Sequence, residues 1–134
     1  GAVDPAYLFD IPRLVVAMAE YGYCPFSKNS LYTPKKYRHI NTNYYLHFEE
    51  ACKLNDNWWE NPAALGLEVV EASPQEILEA TQEMLARLEG KFKYSPASEK
   101  LIQAYHKLWS ESGLTGSPNK TPIGIAWLKQ NQSF

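Results

Sequence analysis

An apolar run near the start of the chain limits the folds open to it more than any other segment. Residues 13–19 read RLVVAMA, apolar at almost every position and partly β-branched. A continuous apolar run of this length is typical of a strand buried on both faces, as in a parallel sheet. A buried helix is the competing interpretation, because the last residues of the run are good helix formers. The strand is favoured, and it predicts an α/β fold.

Further elements are predicted after this run. Residues 30–33 are expected to form a short edge strand, residues 45–54 a helix and residues 67–71 another strand. Strands that are joined through a helix form a parallel pair with a right-handed crossover. The expected architecture is therefore a small parallel sheet of two or three strands with flanking helices and a helical C-terminal part. It resembles part of a doubly wound domain.

Three helices are predicted in the second half of the chain from their start signals. Residues 73–76 (SPQE) form a capping box with proline at the first helical position. The inward positions of this first helix are predicted to be Ile77, Thr81, Met84, Leu85 and Leu88. Residues 95–96 (SP) open the next helix, whose inward side is predicted to hold Leu101, Ile102, Tyr105, Leu108 and Trp109. Residues 121–122 (TP) open the last, which is expected to run to about Gln130.

Composition excludes several classes of protein. The 134 residues carry a formal net charge of -2, which argues against a dedicated nucleic-acid binder. No apolar run approaches the roughly 18 residues that span a bilayer, so no membrane partner is expected. Cys24 and Cys52 do not make a disulfide framework, although a single bridge between them stays open. A reducing, cytoplasmic setting is therefore expected.

The start of the chain bears on its domain organisation. The sequence begins at Gly1 without an initiator methionine, and Gly1 is interpreted as the remnant of a cleaved expression tag. Residues 2–134 have the length of one ordinary domain. We expect a single domain that has been cut from a larger protein.

One segment combines positive charge with aromatic side chains. Residues 21–48 contain no Asp or Glu. Their basic residues are Lys28, Lys35, Lys36, Arg38, His39 and His47, and their aromatic residues are Tyr21, Tyr23, Phe26, Tyr32, Tyr37, Tyr44, Tyr45 and Phe48. A local positive field suits an anionic ligand such as a nucleotide diphosphate, with the aromatics stacking on a base or sugar. A solvated loop whose tyrosines cover the edge of the core is the alternative.

Other candidate sites are weaker. The spacings of Cys24, His39, His47 and Cys52 match no compact zinc pattern, so no metal site is predicted. Nucleophile-elbow, P-loop and dinucleotide-binding motifs are absent from the sequence, and no cofactor is expected. His106 is interpreted as a partly buried structural histidine. Trp58 and Trp59 are expected to lie in the core or in an interface, with sugar stacking as the alternative.

Three stretches resemble a family of bacterial glycosyltransferase-like proteins associated with surface polysaccharide. Residues 31–36 (LYTPKK), followed after a turn by residues 45–50 (YLHFEE), are similar to the family's strand end and helix start. Residues 69–77 (VVEASPQEI) look like its strand leading into a capped helix. Residues 123–131 (IGIAWLKQN) are similar to its closing segment. His47 departs from the pattern, because the family has Thr or Ser as the helix cap there.

The resemblance implies a two-domain nucleotide-sugar transferase with its site in the cleft between the domains. The chain would then be the latter part of the donor-binding domain, lacking the N-terminal domain and inactive alone. In doubly wound folds ligands bind beyond the carboxyl ends of the strands. By matching positions, the resemblance makes Lys35 and Lys36 the candidates for binding the donor diphosphate, with Arg38 and Tyr32 as additions. Catalytic residues are not identified.

A second interpretation comes from a different class of function. The aromatic-rich surface and the apolar ends of the chain also fit a non-catalytic protein-interaction domain. Such a domain is expected to bind a partner or to form a homodimer. The interface would bury Trp58, Trp59 or Trp127.

Overall fold

The structure is a computed structural model, and it describes residues 5–19, 28–55, 57–112 and 121–131. The strands in these ranges are β1 (Leu14–Met18), β2 (Leu31–Pro34), β3 (Lys36–His39) and β4 (Leu67–Val70). The α-helices are α1 (Pro5–Leu8), α2 (Phe48–Ala51), α3 (Pro74–Leu88), α4 (Pro96–Glu111) and α5 (Ile125–Gln130). Short 3-10 helices cover Trp58–Glu60 and Pro62–Leu65. The chain is therefore a mixed α/β structure.

The apolar run forms a strand in a parallel pair, as expected, but it is half-buried at all five positions and not buried on both faces. β1 pairs with β2 in parallel, with Leu14 opposite Leu31 and Val15 opposite Tyr32. β2 was expected at an edge, but all four of its residues are buried. The reason is a second neighbour, because Tyr32 also forms a parallel bridge with Ile123. β2 therefore lies between β1 on one side and Ile123 on the other, and the segment around Ile123 contributes one bridged residue.

The second strand pair is antiparallel, and here the prediction of a parallel crossover is wrong. β4 pairs with β3, with Lys36 opposite Val70 and His39 opposite Leu67. Only Lys35 separates β2 from β3, so β3 begins as soon as the parallel pair ends. Leu67 is buried in a second, smaller core with Tyr37, Ala51 and Trp58. Burial of Leu67 against these side chains favours pairing with β3, not with β1.

The capping box at the start of α3 is confirmed. The Ser73 hydroxyl accepts a hydrogen bond from the Glu76 amide at 3.1 Å, and the Glu76 carboxylate accepts one from the Ser73 amide at 2.6 Å. The helix ends before Gly90, whose φ of +69° is a conformation that favours glycine. Both ends of α3 therefore lie where the sequence predicted them.

The inner face of α3 differs from its prediction. Met84 is buried as expected, but its neighbours on the buried side are Ala80 and Glu83. Ile77, Leu85 and Leu88, which were predicted to point inward, are exposed together with Leu78. Relative to the prediction, α3 is rotated about its own axis, because Glu83 makes buried contacts with Arg87 and with the start of α5. An apolar face of α3 is consequently left towards solvent.

The other helices hold the main core. Tyr105 and Trp109 of α4 are buried beside Phe48 and Leu128, as the inward positions of α4 predicted. α2 and α5 are shorter than expected. α2 does not begin at residue 45 because Tyr45 bridges Arg38 in extended form. Residues 121–124 precede α5 and bond to β2 instead, with Pro122 and Gly124 bracketing Ile123.

Candidate functional site

A cavity of about 300 Å³ lies at the carboxyl end of β2. Pro34 ends β2, and Lys36 follows it two residues later on the wall of the cavity. The remaining walls come from the segment before α2, from α4 and from α5. The aromatic residues that line it are Tyr37, Tyr45, Phe48, Tyr105 and Trp127. The polar side chains that line it are Lys36, His47, Gln130 and Asn131.

The segment before α2 is positioned by backbone hydrogen bonds to β3. The Leu46 amide donates to the Tyr37 carbonyl at 2.9 Å, which holds residues 45–46 against the strand. The chain then enters α2, where the Glu50 carboxylate accepts a hydrogen bond from the His47 amide at 2.9 Å. His47 is the N-cap and Glu50 is the third helical residue. His47 and Phe48 are thereby fixed on the cavity wall.

Lys36 is the predicted site residue that the structure places in the cavity. Its ammonium nitrogen lies 2.5 Å from the Glu76 carboxylate, and both side chains are largely buried. Burial alone would raise the pKa of Glu76, but hydrogen bonds from Lys36 and Ser73 outweigh it and hold that pKa below its ordinary value. Lys36 therefore faces the cavity as one half of an ion pair, not as an isolated cation.

Arg38 lies apart from this cavity. It points to a shallow surface shared with residues 41–43, where its guanidinium contacts the Glu68 carboxylate at 2.8 Å across the antiparallel pair. Lys36 is paired with Glu76, and Arg38 is paired with Glu68. Two basic side chains of residues 21–48 are therefore neutralised by carboxylates from elsewhere in the chain. The positive field expected from the sequence is weaker than the residue count implies.

Tyr32 and Lys35 are also separate from the cavity lining. Tyr32 is 2% exposed, and its hydroxyl lies 2.6 Å from the hydroxyl of Tyr105 inside the core. The backbone amide of Lys35 donates to the Met18 carbonyl at 2.9 Å, which links it to the end of β1. Tyr32 can affect the cavity through Tyr105, which lines it. Direct contact of Tyr32, Lys35 or Arg38 with a ligand stays a prediction.

The sequence did not predict that α5 and the residue after it line a cavity, although Trp127 was named as a candidate interface residue. Trp127, Gln130 and Asn131 line the cavity at the end of the chain segment that the resemblance had identified. The Gln130 amide donates to Glu79 at 2.7 Å, and the Asn131 amide donates to the Trp127 carbonyl at 2.8 Å. Their side-chain oxygens remain as acceptors at the cavity. Spacing gave no signal for this, because the Tyr32–Ile123 bridge brings together two segments that are far apart in sequence.

The ring nitrogen of Trp127 is a further polar group at this place. It is buried and makes no hydrogen bond to the described residues. A buried donor without an acceptor costs about 1–3 kcal/mol. The site as a whole offers aromatic faces, amide oxygens and one paired lysine, which is chemistry suited to a base or a sugar.

Comparison with known proteins gives no relative. No family model, curated protein or solved structure matches this chain.

Several other sequence predictions can be placed. Within the described ranges, no helix is long and apolar enough to cross a membrane, and no three His, Cys, Asp or Glu side chains are grouped as metal ligands. Trp58 is buried in the chain's own core, 4.7 Å from Tyr37, which confirms the core interpretation for this residue. His106 is half-buried, and burial lowers its pKa. Cys52 is a free thiol, whereas Cys24 lies outside the described residues.

Glu83 lies behind the cavity and ties α3 to α5. One carboxylate oxygen accepts hydrogen bonds from Arg87 at 2.8 and 3.0 Å, and the other accepts the Ile125 amide at 2.7 Å. Burial raises the pKa of Glu83 above its ordinary 4.5, although Arg87 and the Ile125 amide act in the opposite direction. Gly124 precedes this amide, and a Cβ there would lie 2.9 Å from the Thr33 side chain. The approach of α5 to β2 therefore requires glycine.

This raised pKa predicts a pH dependence of stability. The folded chain binds the Glu83 proton more tightly than the unfolded chain, so the stabilisation that comes from this protonation, as distinct from the contacts of the side chain, is complete below about pH 4.5 and is lost as pH rises through the folded pKa. The free energy of unfolding of the wild type, minus that of Glu83→Gln, should fall as pH rises from 4.5. Urea unfolding of both proteins across this range measures it. A difference that grows with pH would contradict the prediction.

Proposed function

We propose that this chain is part of the donor-binding domain of a nucleotide-sugar glycosyltransferase and that it does not turn over substrate alone. The observation that carries the proposal is the cavity beyond the carboxyl end of β2, with Lys36 on its wall. Ligands of doubly wound proteins bind at this end of the strands. We propose accordingly that β1 and β2 belong to such a sheet. The resemblance of residues 31–50, 69–77 and 123–131 to surface-polysaccharide glycosyltransferases supports the same function.

The dimensions and lining of the cavity favour the uncharged part of a donor. A volume of about 300 Å³ is at the lower end of ligand pockets, which suits a nucleoside or a sugar better than a complete nucleotide sugar. Tyr45 and Trp127 offer aromatic faces for stacking, and Gln130 and Asn131 offer amide oxygens for hydroxyl or ring N–H groups. The diphosphate would then lie at the mouth.

Lys36 is suited to contact that diphosphate without leaving Glu76. An ammonium group has three N–H donors, and the ion pair with one Glu76 oxygen uses one of them. The other two can point to phosphate oxygens, which form charge-assisted hydrogen bonds with lysine. Glu76 keeps the ammonium near the cavity, and it also lowers the net positive charge there. Weak nucleotide binding by the isolated chain is the expected consequence.

Titration with UDP, GDP and ADP, followed by amide chemical shifts, tests the proposal. Shift changes are expected at Lys36, Leu46 and His47, and at the α5 residues Gln130 and Asn131. Lys53, which follows α2 and does not line the cavity, serves as an internal reference. No shift change at the cavity with any of the three nucleotides would overturn the proposal.

Lys36→Met should weaken nucleotide binding by roughly ten-fold or more, because a charge-assisted hydrogen bond contributes about 1.5–3 kcal/mol. Lys53→Met is the matched control, since Lys53 forms an exposed ion pair with Glu49 and does not line the cavity. Calorimetry or NMR titration gives both affinities, and circular dichroism checks that each variant is folded. Equal affinities of the two variants would exclude Lys36 from the site.

A further inference from the structure

The outward face of α3 carries an apolar stripe. Four of its large side chains are 44–55% exposed, namely Ile77, Leu78, Leu85 and Leu88. Leu78, Thr81, Leu85 and Leu88 follow one another at intervals of three, four and three residues. This is the a/d spacing with which one helix packs along another. We call these four positions, with Ile77, the α3 stripe.

We propose that the α3 stripe binds the α3 stripe of a second copy of this chain, with the two helices antiparallel. Leu78 and Leu88 are equally far from position 83 in sequence, and so are Thr81 and Leu85. A two-fold axis that crosses the helix pair at the level of residue 83 therefore makes the stripe self-complementary. Leu78 then faces Leu88 of the partner subunit, and Thr81 faces Leu85 of the partner subunit. Each contact occurs twice, so the seam contains two leucine–leucine and two leucine–threonine contacts, which involve six leucine side chains.

The area is sufficient for a dimer. The exposed parts of Ile77, Leu78, Leu85 and Leu88 together form an apolar patch on the order of 300–600 Å², a size at which surface patches are often functional. If the patches of two copies are buried together, and apolar atoms make up about 60% of the interface, the total buried area is on the order of 1,300 Å². Stable protein interfaces begin near about 1,200 Å². The α3 stripe therefore predicts a dimer of modest affinity.

The surroundings of the stripe favour a protein partner. Its own positions carry no charge, and the exposed residues that border it on the helix surface are Gln82 and Glu89. Helices that lie on membranes carry a basic rim instead. Antiparallel pairing also places the positive N-terminal end of each helix dipole beside the negative C-terminal end of the other. A second copy in antiparallel orientation satisfies both conditions.

Sedimentation or light scattering over a concentration series tests the association. The wild type is expected to form dimers that dissociate on dilution, and Leu85→Glu is expected to be monomeric. Ile40→Glu is the matched control, because Ile40 is a comparably exposed apolar residue (42%) outside the stripe and should leave the dimer intact. Circular dichroism confirms that both variants fold. A wild type that stays monomeric at about 1 mM, or a dimer that Leu85→Glu leaves unchanged, overturns the proposal.

Mixing two variants tests the orientation. Leu78→Glu and Leu88→Lys should each be monomeric alone, because each homodimer would bury two charges against leucine. An equimolar mixture should regain dimers, since the antiparallel seam then contains one glutamate–lysine contact and one intact leucine pair. Failure of the mixture to associate, while the wild type dimerises, overturns the antiparallel pairing. Nucleotide titration of the monomeric variants stays independent of this result, because the stripe lies outside the cavity lining.

Discussion

Replacing Glu83 with alanine is expected to lower the free energy of unfolding by about 3–5 kcal/mol, which is the usual cost of removing one partner of a buried ion pair. The Glu83 carboxylate is almost completely buried, and the Arg87 guanidinium lies 2.8 Å from it. Alanine leaves the Arg87 charge without its carboxylate. It also leaves the Ile125 amide, which the carboxylate accepts at 2.7 Å, without an acceptor. Urea unfolding followed by circular dichroism measures the loss.

The effect of Glu83 should spread because its partner Arg87 is itself part of a larger cluster. The guanidinium lies 4.0 Å from the centre of the Phe92 ring and donates a hydrogen bond to the Tyr94 hydroxyl at 2.8 Å. Glu83 thus orients a cation that holds the segment after α3, while its second oxygen holds α5. Both the α3–α5 contact and the cavity wall formed by α5 depend on this carboxylate.

Glu89→Ala is the control for this prediction. Glu89 pairs with Lys91 at 2.8 Å, but both side chains are more than half exposed. Exposed ion pairs contribute up to about 1 kcal/mol, so this variant should unfold close to the wild type. Equal losses for Glu83→Ala and Glu89→Ala would show that the buried contacts of Glu83 do not stabilise the fold.

The elements that could be predicted from the sequence are those with a strong local signal. The β-branched run produced β1, and the serine–proline starts with their capping residues produced α3 and α4. β3 has no such signal, since its residues (KYRH) alternate charged and aromatic side chains and become a strand only by pairing with β4. The helical period of Ile77 and Leu85 was visible, but it cannot tell which side of α3 is buried. Glu83 decides that through a contact 42 residues away in sequence.

The difference between local signals and long-range contacts also explains which residues of the candidate site could be predicted. Lys36 was predicted because it follows a strand, and its place on the cavity wall depends on local chain direction. Arg38 has the same charge two residues later, yet it lies on a different surface because the cross-strand partner Glu68 holds it there. Trp127 and Gln130 reach the cavity only because Ile123 bridges Tyr32, a pairing that joins distant parts of the chain. Charge pairing and long-range bridges are what residue spacing does not reveal.

Replacing Trp109 with alanine is expected to lower the free energy of unfolding by about 3–5 kcal/mol, because a buried tryptophan leaves a large cavity. Trp109 is 3% exposed, and its ring lies 5.8 Å from the Phe48 ring and 6.0 Å from the Tyr105 ring. Phe48 and Tyr105 line the cavity at the end of β2, whereas Trp109 packs against them without lining it. The loss should therefore appear in urea unfolding and also as weaker nucleotide binding.

The variant Trp127→Ala distinguishes the effect of core packing on nucleotide affinity from the effect of direct contact with the ligand. Trp127 is half-buried and lines the cavity directly, so its removal should cost less stability than the loss of Trp109. It should reduce nucleotide affinity at least as much, because the ligand loses an aromatic face of the cavity wall. If Trp127→Ala binds nucleotides like the wild type while Trp109→Ala does not, the ligand does not occupy this cavity. The role of Trp109 would then be to maintain a different binding surface through the main core.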